Sequence, residues 1–249
     1  MDLGLDQRVA LVTGASRGIG RAIAAELTAE GARVAIAARH RETIEATARE
    51  IGAVPFVLDN NYPTAAEVLA REVADRLGPI EILVTNTGGP PVAVDGLSLS
   101  LDEWEAAYRS LVLTPIALVE AVAPAMRERG WGRIVSVSSS AVREVIDPLI
   151  LSNAHRAATL AAFKTLSRQL AADGITFNTL LPGRIATDRI AALAGSLEAA
   201  EESARSQVPA GRLGRPEELA AVAAFLCSTR AAYITGTALA VDGGMLHGP

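Results

Sequence analysis

The chain has 249 residues, 50% of them hydrophobic and only 4% aromatic, so we expect a large core packed mainly by Ala, Val, Ile and Leu. The formal net charge is −5 and the basic residues are spread along the chain, which argues against a nucleic-acid-binding protein. No uninterrupted apolar run has the length of a membrane span and no signal peptide precedes the first strand, so we expect a soluble, cytoplasmic protein without a membrane partner.

The first predicted element is a short apolar run, residues 9–12, which has the pattern of a fully buried parallel strand. A glycine-rich turn over residues 13–20 follows it. Residues 21–30 are rich in alanine and predict a helix that ends at Gly31. The chain therefore begins as a nucleotide-binding βαβ unit.

The three glycines of this turn have separate expected roles. Gly14 permits a tight turn, Gly18 lets the backbone approach a ligand, and Gly20 lets the helix pack closely on the strand. Backbone amides at a helix start favour an anion. The turn therefore predicts a site for the pyrophosphate of a dinucleotide.

Strands and helices alternate along the rest of the chain. Further strands are predicted over residues 33–38, 54–58, 80–85, 133–137, 175–180 and 238–241. Helices are predicted over residues 42–51, 64–77, 102–129, 152–172 and 217–227, with a bend at the prolines of the third. Residues 187–207 are predicted to be a mobile helical segment that serves as a substrate lid. With no linker in the sequence, the pattern indicates an α/β fold: a Rossmann-like, doubly wound parallel sheet in a single domain, residues 1–249.

Several short motifs occur in a fixed order: Thr13-Gly-x-x-x-Gly-Ile-Gly20, Asn86-Thr-Gly88, Ser139, Pro182-Gly183 and Asp242-Gly-Gly244. Their order and spacing resemble the short-chain dehydrogenase/reductase family over essentially the whole chain. Two later stretches resemble its β-ketoacyl-carrier-protein reductase branch: Gly211-Arg-Leu-Gly-Arg-Pro-Glu-Glu218 and Tyr233-Ile-Thr-Gly236. The resemblance implies a NAD(P)-binding subunit, usually tetrameric, that acts on carbonyl or alcohol substrates.

The resemblance also implies roles in cofactor binding. Asp59 would accept a hydrogen bond from the adenine amino group, and Asn86 and Gly88 would line the adenosine ribose. The nicotinamide end would be held by Pro182, Gly183, Ile185 and Thr187. The complete set of expected cofactor-binding residues is Gly14, Ser16, Arg17, Gly18, Ile19, Gly20, Arg39, Asp59, Asn60, Asn86, Thr87, Gly88, Arg156, Pro182, Gly183, Ile185 and Thr187.

The residues after the second strand bear on which cofactor is bound. An acidic residue there would select NAD, but residues 37–41 contain none. Arg39 stands there instead, and Arg17 lies in the glycine-rich turn. Two guanidiniums suit a 2′-phosphate, which favours NADP(H) over NAD(H). The alternative is that Arg39 and Arg41 are simply a solvated helix start.

The expected catalytic residues depart from the family pattern of Asn, Ser, Tyr and Lys. The corresponding positions here hold Leu111, Ser139, Ser152 and Arg156, and only the serine is retained. Ser138, beside it, could be mistaken for that serine. Ser152 and Arg156 share a helix face at spacing i, i+4. The serine hydroxyl is too short and too weakly acidic to replace the phenol, and a guanidinium cannot shuttle a proton.

Three further residues each leave two interpretations open. His155 could be the proton donor, since histidine is the residue type that most often transfers protons in catalysis, or it could be structural. Pro115 removes the amide that would bond to the Leu111 carbonyl, which in the family holds a relay water; equally, it could only kink the helix. Cys227 lies in an apolar stretch and is interpreted as core rather than as a nucleophile.

Two functions follow from these residues. The first is a NAD(P)-dependent oxidoreductase of carbonyl or alcohol substrates, similar to 3-oxoacyl reductases, with a modified proton-delivery site made of Ser139, Ser152, His155 and Arg156. The second is a dinucleotide-binding sensor or partner subunit with little or no catalysis. We expect a small-molecule substrate, no metal site, and a homotetramer, or failing that a dimer.

Overall fold

One parallel sheet of seven strands forms the centre of this computed structural model, which describes residues 2–248; the two terminal residues of the expected domain lie outside that range. The strands are β1 Val9–Thr13, β2 Arg33–Ala38, β3 Val54–Val57, β4 Ile82–Asn86, β5 Gly132–Val137, β6 Ile175–Pro182 and β7 Ala238–Val241. Their order is β3-β2-β1-β4-β5-β6-β7. The order reverses between β1 and β4, and a crevice for ligands lies beyond the carboxyl ends of such strands.

Helices cover both faces of the sheet. They are α1 Gly18–Ala29, α2 Arg41–Ile51, α3 Ala65–Leu77, α4 Leu101–Tyr108, α5 Thr114–Arg129, α6 Ile150–Leu170, α7 Asp188–Ala194, α8 Leu197–Gln207 and α9 Pro216–Cys227. One core cluster packs α1, α2 and α9 on the sheet, and a second packs α3, α5 and α6 on the opposite face. The predicted α/β, doubly wound, Rossmann-like fold in a single domain is confirmed.

The helix starts differ from the sequence prediction in ways that affect the site. Helix α1 begins at Gly18 rather than at residue 21, so the end of the glycine-rich turn forms its first turn. Helix α6 begins at Ile150, which places Ser152 in its first turn. The segment 187–207 consists of two helices, α7 and α8. An extended residue precedes α1, α7 and α8, whereas a 3₁₀ turn, Asp147–Leu149, leads into α6; apolar periodicity registers neither.

The expected bend of the long helix is a change of helix type. A π-helical turn, Arg109–Leu113, separates α4 from α5, and the Thr114 amide donates to the Arg109 carbonyl. Pro115 follows at the start of α5. Because proline has no amide to donate, the helix cannot continue its regular bonding through this point. The irregular turn contains Leu111, the residue that the family resemblance aligns with an asparagine.

The stretch Leu101–Arg129 also bears on membrane association. It is long and apolar enough, by length and composition, to cross a bilayer, which the sequence analysis did not anticipate. Leu118, Val119 and Val122 are buried in the core beneath the sheet, so packing accounts for its hydropathy. Buried helices in the cores of soluble proteins can have the same length and apolar composition. The helix is therefore weak evidence for a membrane partner.

The single cysteine is confirmed as a core residue. Cys227 is fully buried at the end of α9, and burial raises the pKa of its thiol to about 12. A thiol that stays protonated at neutral pH is a poor nucleophile. Cys227 packs the core instead.

Candidate active site

The glycine-rich turn is held in place by close backbone contacts. Gly14 and Gly18 have positive φ angles of 58° and 56°. A Cβ at Gly20 would lie 2.4 Å from the Gly14 carbonyl oxygen, so Gly20 allows the helix to pack on the turn itself rather than on the strand. The Thr47 hydroxyl donates to the Ser16 carbonyl at 2.9 Å and ties the turn to α2. The turn is therefore rigid before any ligand binds.

The start of α1 has the properties of an anion site. Its N-cap residue, Arg17, has an extended backbone, and no side chain caps the helix. No acidic residue lies in the first turn, which contains Ile19 between the two helical glycines. The first amides of the helix thus point outward with the positive end of its dipole. A Cβ at Gly88, on the β4 side of the crevice, would meet nothing within 4 Å, so this wall is open. The crevice fits a dinucleotide cofactor.

Asn86 supports the turn from below. Its side-chain amide donates to the Gly14 carbonyl at 3.0 Å, and its backbone exchanges hydrogen bonds with the Thr13 hydroxyl, also at 3.0 Å. The sequence analysis placed Asn86 against the adenosine ribose, but the amide donates to the turn. Asn86 therefore links β1 to β4 at the point where the strand order reverses.

The expected adenine residues lie at the end of β3. The Asp59 carboxylate accepts from the Asn61 amide at 3.0 Å and forms a local turn. The Asn60 side chain donates to the Thr87 hydroxyl at 3.2 Å, and the Asn60 carbonyl accepts from Thr114 at 2.7 Å. These bonds bring the ends of β3, β4 and α5 together along one side of the crevice.

The residues expected at the nicotinamide end divide into two groups. Pro182 ends β6, a Cβ at Gly183 would lie 2.7 Å from the Asp242 Cα, and Ile185 is buried; these three support the wall. Thr187 faces the crevice, because its methyl group lies 3.3 Å from a Cβ built at Gly18. The segment after β6 therefore reaches the glycine-rich turn through Thr187.

The two arginines expected at a 2′-phosphate are both exposed but are bonded separately. Arg39 directly follows β2, and its Nε atom lies 3.2 Å from the His40 ring. Arg17 forms an ion pair with Asp188 at 3.1 Å, with both side chains about three-quarters exposed. Such exposed contacts are weak, so either guanidinium is free to reorient.

Ser152 and Arg156 meet as their spacing predicts. Arg156 Nε donates to Ser152 Oγ at 3.0 Å. The two other guanidinium nitrogens donate to the Val137 carbonyl at 3.1 Å and the Thr87 carbonyl at 2.9 Å. Burial and the nearby charge of Arg189 lower the pKa of Arg156 to about 10, so the group stays cationic at neutral pH. These three bonds fix the Arg156 cation between the ends of β4 and β5.

The two serines after β5 have different surroundings. Ser139 Oγ accepts from the Ala141 amide at 3.2 Å and caps a short 3₁₀ turn, Ser140–Val142. Ser138 Oγ is buried without a hydrogen-bond partner within residues 2–248. Since buried hydroxyls are normally paired, the Ser138 environment is exceptional. Both serines lie at the crevice.

A small cavity of about 10 Å³ lies behind Arg156. Its walls include Leu111, Pro115 and the two hydroxyls of Thr85 and Ser138, which have no partner among the described residues. A cavity of this size has about the volume of one water-sized sphere. The cavity adjoins the π-helical turn.

The Leu111 carbonyl already has a protein donor. The Thr159 hydroxyl donates to it at 2.7 Å, which fixes α6 against the π-helical turn. A carbonyl has two lone pairs, so one remains beyond the bond to Thr159. The structure thus accommodates both interpretations of Pro115, the helix irregularity and the released carbonyl.

His155 faces away from this cavity. Its Nδ1 atom donates to the Leu151 carbonyl at 2.8 Å, and its ring lies 5.4 Å from the Trp104 ring and 6.1 Å from the Tyr108 ring. The side chain is buried between α6 and α4. This packing favours the structural interpretation of His155 over a role as proton donor.

The sequence analysis missed Arg189 and Thr159. Arg189, in α7, donates to the Pro90 carbonyl at 3.0 Å and thereby spans the crevice. The available signal was an arginine two residues after Thr187, directly before an apolar run over residues 190–194. Thr159 lies three residues after Arg156, one turn along the same helix. The sequence shows this spacing, but it does not show that Thr159 bonds to the Leu111 carbonyl between α4 and α5.

Comparisons with known proteins agree with this geometry. The model of a family described as Enoyl-(Acyl carrier protein) reductase matches residues 14–246. The 3-oxoacyl-(acyl-carrier-protein) reductase of Escherichia coli (strain K12) is 36% identical over 247 residues, covering 98% of this chain and 99% of that protein. The acetoacetyl-CoA reductase of Shinella zoogloeoides is 35% identical over 241 residues, covering 95% and 98%.

A solved structure shows the same similarity in three dimensions. The L-sorbose reductase of Gluconobacter frateurii, complexed with NADPH and L-sorbose, aligns over 100% of both chains with a TM-score of 0.93 and 31% sequence identity. Sequence and architecture therefore match along the whole chain.

Proposed function

The chain belongs to the short-chain dehydrogenase/reductase family, and on this premise we propose that it is a NADP(H)-dependent reductase of small carbonyl compounds with an altered proton-delivery site. The relatives act on 3-oxoacyl and acetoacetyl groups, which points to a β-oxo compound as substrate. The observation that carries the proposal is the bond from Arg156 to Ser152, which keeps a cation and a hydroxyl together beside the cofactor crevice.

Different residues along the crevice would bind different parts of the cofactor. A bound NADPH supplies the hydride. The open start of α1 and Gly88 suit the phosphates and the adenosine ribose. Arg17 and Arg39, both exposed, are free to reach a 2′-phosphate, and the NADPH complex of the sorbose reductase is consistent with that preference.

The proposed chemistry relies on polarisation of the substrate carbonyl rather than on a strong acid. Ser152 Oγ accepts from Arg156, and its own hydroxyl hydrogen has no acceptor among the hydrogen bonds of residues 2–248. That hydrogen is free to be donated to a carbonyl oxygen. The Arg156 cation stabilises the negative charge that develops on this oxygen, as fixed donors do in oxyanion sites. Ser139 lies on the same side, at the start of the Ser140–Val142 turn.

The substitutions set a limit on rate. A positioned general acid contributes about 10²–10⁴-fold, which is lost with the Tyr and Lys of the family. We therefore expect slow reduction of ordinary ketones and faster reduction of compounds whose developing charge Arg156 can stabilise. The alternative, a dinucleotide-binding sensor or partner subunit, is favoured by one observation: all three kinds of Arg156 nitrogen already have protein acceptors.

Restoring the family residues tests the assignment. Ser152→Tyr combined with Arg156→Lys should raise kcat/KM for a simple ketone by about 10-fold or more, since a phenol regains the role of general acid. Leu111→Asn should add to this gain. The assay is steady-state oxidation of saturating NADPH, with cofactor binding measured for each variant. A folded, cofactor-binding double mutant without any gain contradicts the assignment of these two positions.

The proposal extends to the lid and to the location of the protein. Residues 187–207 act as a lid that is fastened on one side by Asp188 to Arg17 and on the other by Arg189 to Pro90. We place the protein in the cytoplasm, acting without metal or nucleic acid. Limited proteolysis of residues 187–207 that slows when NADPH is added would support the lid.

A further inference from the structure

Arg189 occupies an unusual position for a charged side chain. It follows Thr187 by two residues and extends across the crevice, where its guanidinium donates to the Pro90 carbonyl at 3.0 Å. A Cβ on Gly89 would lie only 2.7 Å from the same guanidinium nitrogen. The guanidinium therefore lies flat on the Gly89 backbone although the residue as a whole is exposed, and desolvation of the covered side lowers the pKa of Arg189.

Arg156 is fastened to the same short segment. It donates to the Thr87 carbonyl at 2.9 Å, three residues before the carbonyl that Arg189 uses. Cα atoms three residues apart are separated by at most about 11 Å. The two guanidiniums therefore bond to one four-residue stretch of backbone, and the charge of Arg189 is felt at Arg156 as a lowering of its pKa.

Neither cation is neutralised by the protein. Among residues 2–248, no carboxylate forms an ion pair with Arg156 or Arg189. Asp188, the residue before Arg189, pairs instead with Arg17, at 3.1 Å. The two cations bond only to neutral oxygens, three carbonyls and the Ser152 hydroxyl, so the protein gives them no counter-charge and an anion that joined both would be stabilised.

The position of the pair indicates where that anion comes from. Arg156 bonds to Ser152, the proposed carbonyl-polarising residue. Arg189 bonds to Pro90, the first residue of a loop over residues 90–100 that leads away from the end of β4 and that we expect to line the substrate. The phosphates of a dinucleotide are expected at the start of α1, where Arg17 is already present. The pair therefore lies on the substrate side of the crevice.

We propose that Arg156 and Arg189 together bind a carboxylate carried by the substrate, so that the protein prefers oxo acids to neutral ketones and esters. This inference rests on the proposed reductase function and specifies its substrate class. A guanidinium offers five donors in a fork that matches a carboxylate, and Arg189 uses only one of its nitrogens in the bond to Pro90. Binding would also hold the adjacent carbonyl near Ser152.

The test compares acetoacetate with methyl acetoacetate, which share the same oxo group but differ in charge. Wild type, Arg189→Gln, Arg189→Lys and Arg71→Gln are assayed with saturating NADPH. Arg71, on α3 and outside the proposed lid, pairs with Glu67 at 2.9 Å on the exposed surface and is the matched control. Acetoacetate is also titrated calorimetrically into the NADP⁺-loaded protein, and NADPH affinity is measured for every variant.

We expect Arg189→Gln to lower kcat/KM and affinity for acetoacetate by about 10–100-fold, the effect of losing a charge-assisted hydrogen bond. The methyl ester and NADPH should change by less than about twofold, since neither uses the removed charge in this proposal. Arg189→Lys should recover part of the loss, and Arg71→Gln should behave as wild type.

Three results would overturn the inference. They are an equal loss for acid and ester, wild-type protein that prefers the ester or fails to bind acetoacetate, and a matching loss of NADPH affinity, which would assign the pair to a cofactor phosphate. If acetoacetate binds through Arg189 but neither compound is reduced, the carboxylate site stands and the reductase proposal fails. If only the ester is reduced, the reductase stands and the carboxylate site fails.

Discussion

At the residue scale, the main feature is the loss of a proton donor with the positive charge retained. The family resemblance assigns Ser152 and Arg156 to the positions of Tyr and Lys, and in the structure the two side chains are bonded to each other at 3.0 Å. The exchange removes a proton donor but retains the positive charge. Because the Arg156 guanidinium is also fixed by the Thr87 and Val137 carbonyls, it acts as a rigid electrostatic group.

The cofactor preference can be tested at Arg39. Arg39→Asp should weaken NADPH binding by about 10–100-fold, because a charge-assisted contact to the 2′-phosphate is replaced by repulsion. NADH binding should stay the same or improve. Arg33→Asp, with the same charge change at the opposite end of β2, is the control. Fluorescence titration of both cofactors measures the result, and a wild-type preference for NADH would contradict the assignment.

A pH profile tests the role of Arg156. Burial and the Arg189 charge lower its pKa to about 10, so the cation is present below this pH and is lost above it. We expect kcat/KM for a neutral ketone to stay constant between neutral pH and about pH 9, where Arg156 is cationic, and to fall as the pH rises through about 10. In Arg156→Lys the fall should begin at lower pH, because an ammonium loses its proton more readily than a guanidinium. Profiles that coincide would exclude this cation from the rate-determining chemistry.

At the element scale, the glycine-rich turn combines a packing role and a binding role. Gly20 contacts the Gly14 carbonyl, with no space for a Cβ, whereas Gly88 borders open space on the other wall. Gly20 is therefore required for packing, whereas Gly88 borders the cofactor crevice. The sequence analysis gave Gly20 a packing role and also included both glycines among the expected cofactor-binding residues.

Two alanine variants separate these roles. Gly20→Ala should lower stability by about 1–3 kcal/mol through overpacking and should also weaken NADPH binding. Gly88→Ala should leave the melting temperature nearly unchanged and weaken NADPH binding alone, since its methyl group enters the open wall. Thermal unfolding and cofactor titration are compared for both. A stable Gly20→Ala variant with normal binding would show that the turn is more adaptable than its contacts indicate.

At the scale of the whole molecule, exposed apolar side chains mark two candidate interfaces. Leu101 and Tyr108 lie on α4, and Tyr233 lies before β7, fully exposed. The resemblance to the family led us to expect pairing through the helices that follow residues 102 and 152 and through the last helix and strand. These exposed residues belong to those same surfaces.

The assembly is predicted to be a closed homotetramer, with a mass about four times the 25.8 kDa of one chain. Tyr233→Arg should reduce the mass to that of a dimer, because it places a charge in one of the two interfaces. Val94→Arg, at an equally exposed position in the loop that follows β4, should leave the mass unchanged. Light scattering after size exclusion gives the masses, and a stable wild-type monomer would refute the assembly.

The sequence by itself determined the architecture, because each local pattern agrees with the final fold. Buried strands require apolar runs, and the alternation of such runs with amphipathic helices leaves a doubly wound parallel sheet as the natural arrangement. Strand β2 and strand β7 have the predicted bounds. The spacing of Ser152 and Arg156 also fixed their contact, since residues four apart share a helix face.

Only the tertiary structure decided which side chains meet across elements. Arg189 reaches Pro90, Thr159 reaches the Leu111 carbonyl, and Asn86 donates to the glycine-rich turn. His155 turns toward Trp104 rather than into the crevice. These partners are separated by long stretches of chain, so their contacts depend on strand order and helix packing, which local periodicity does not encode.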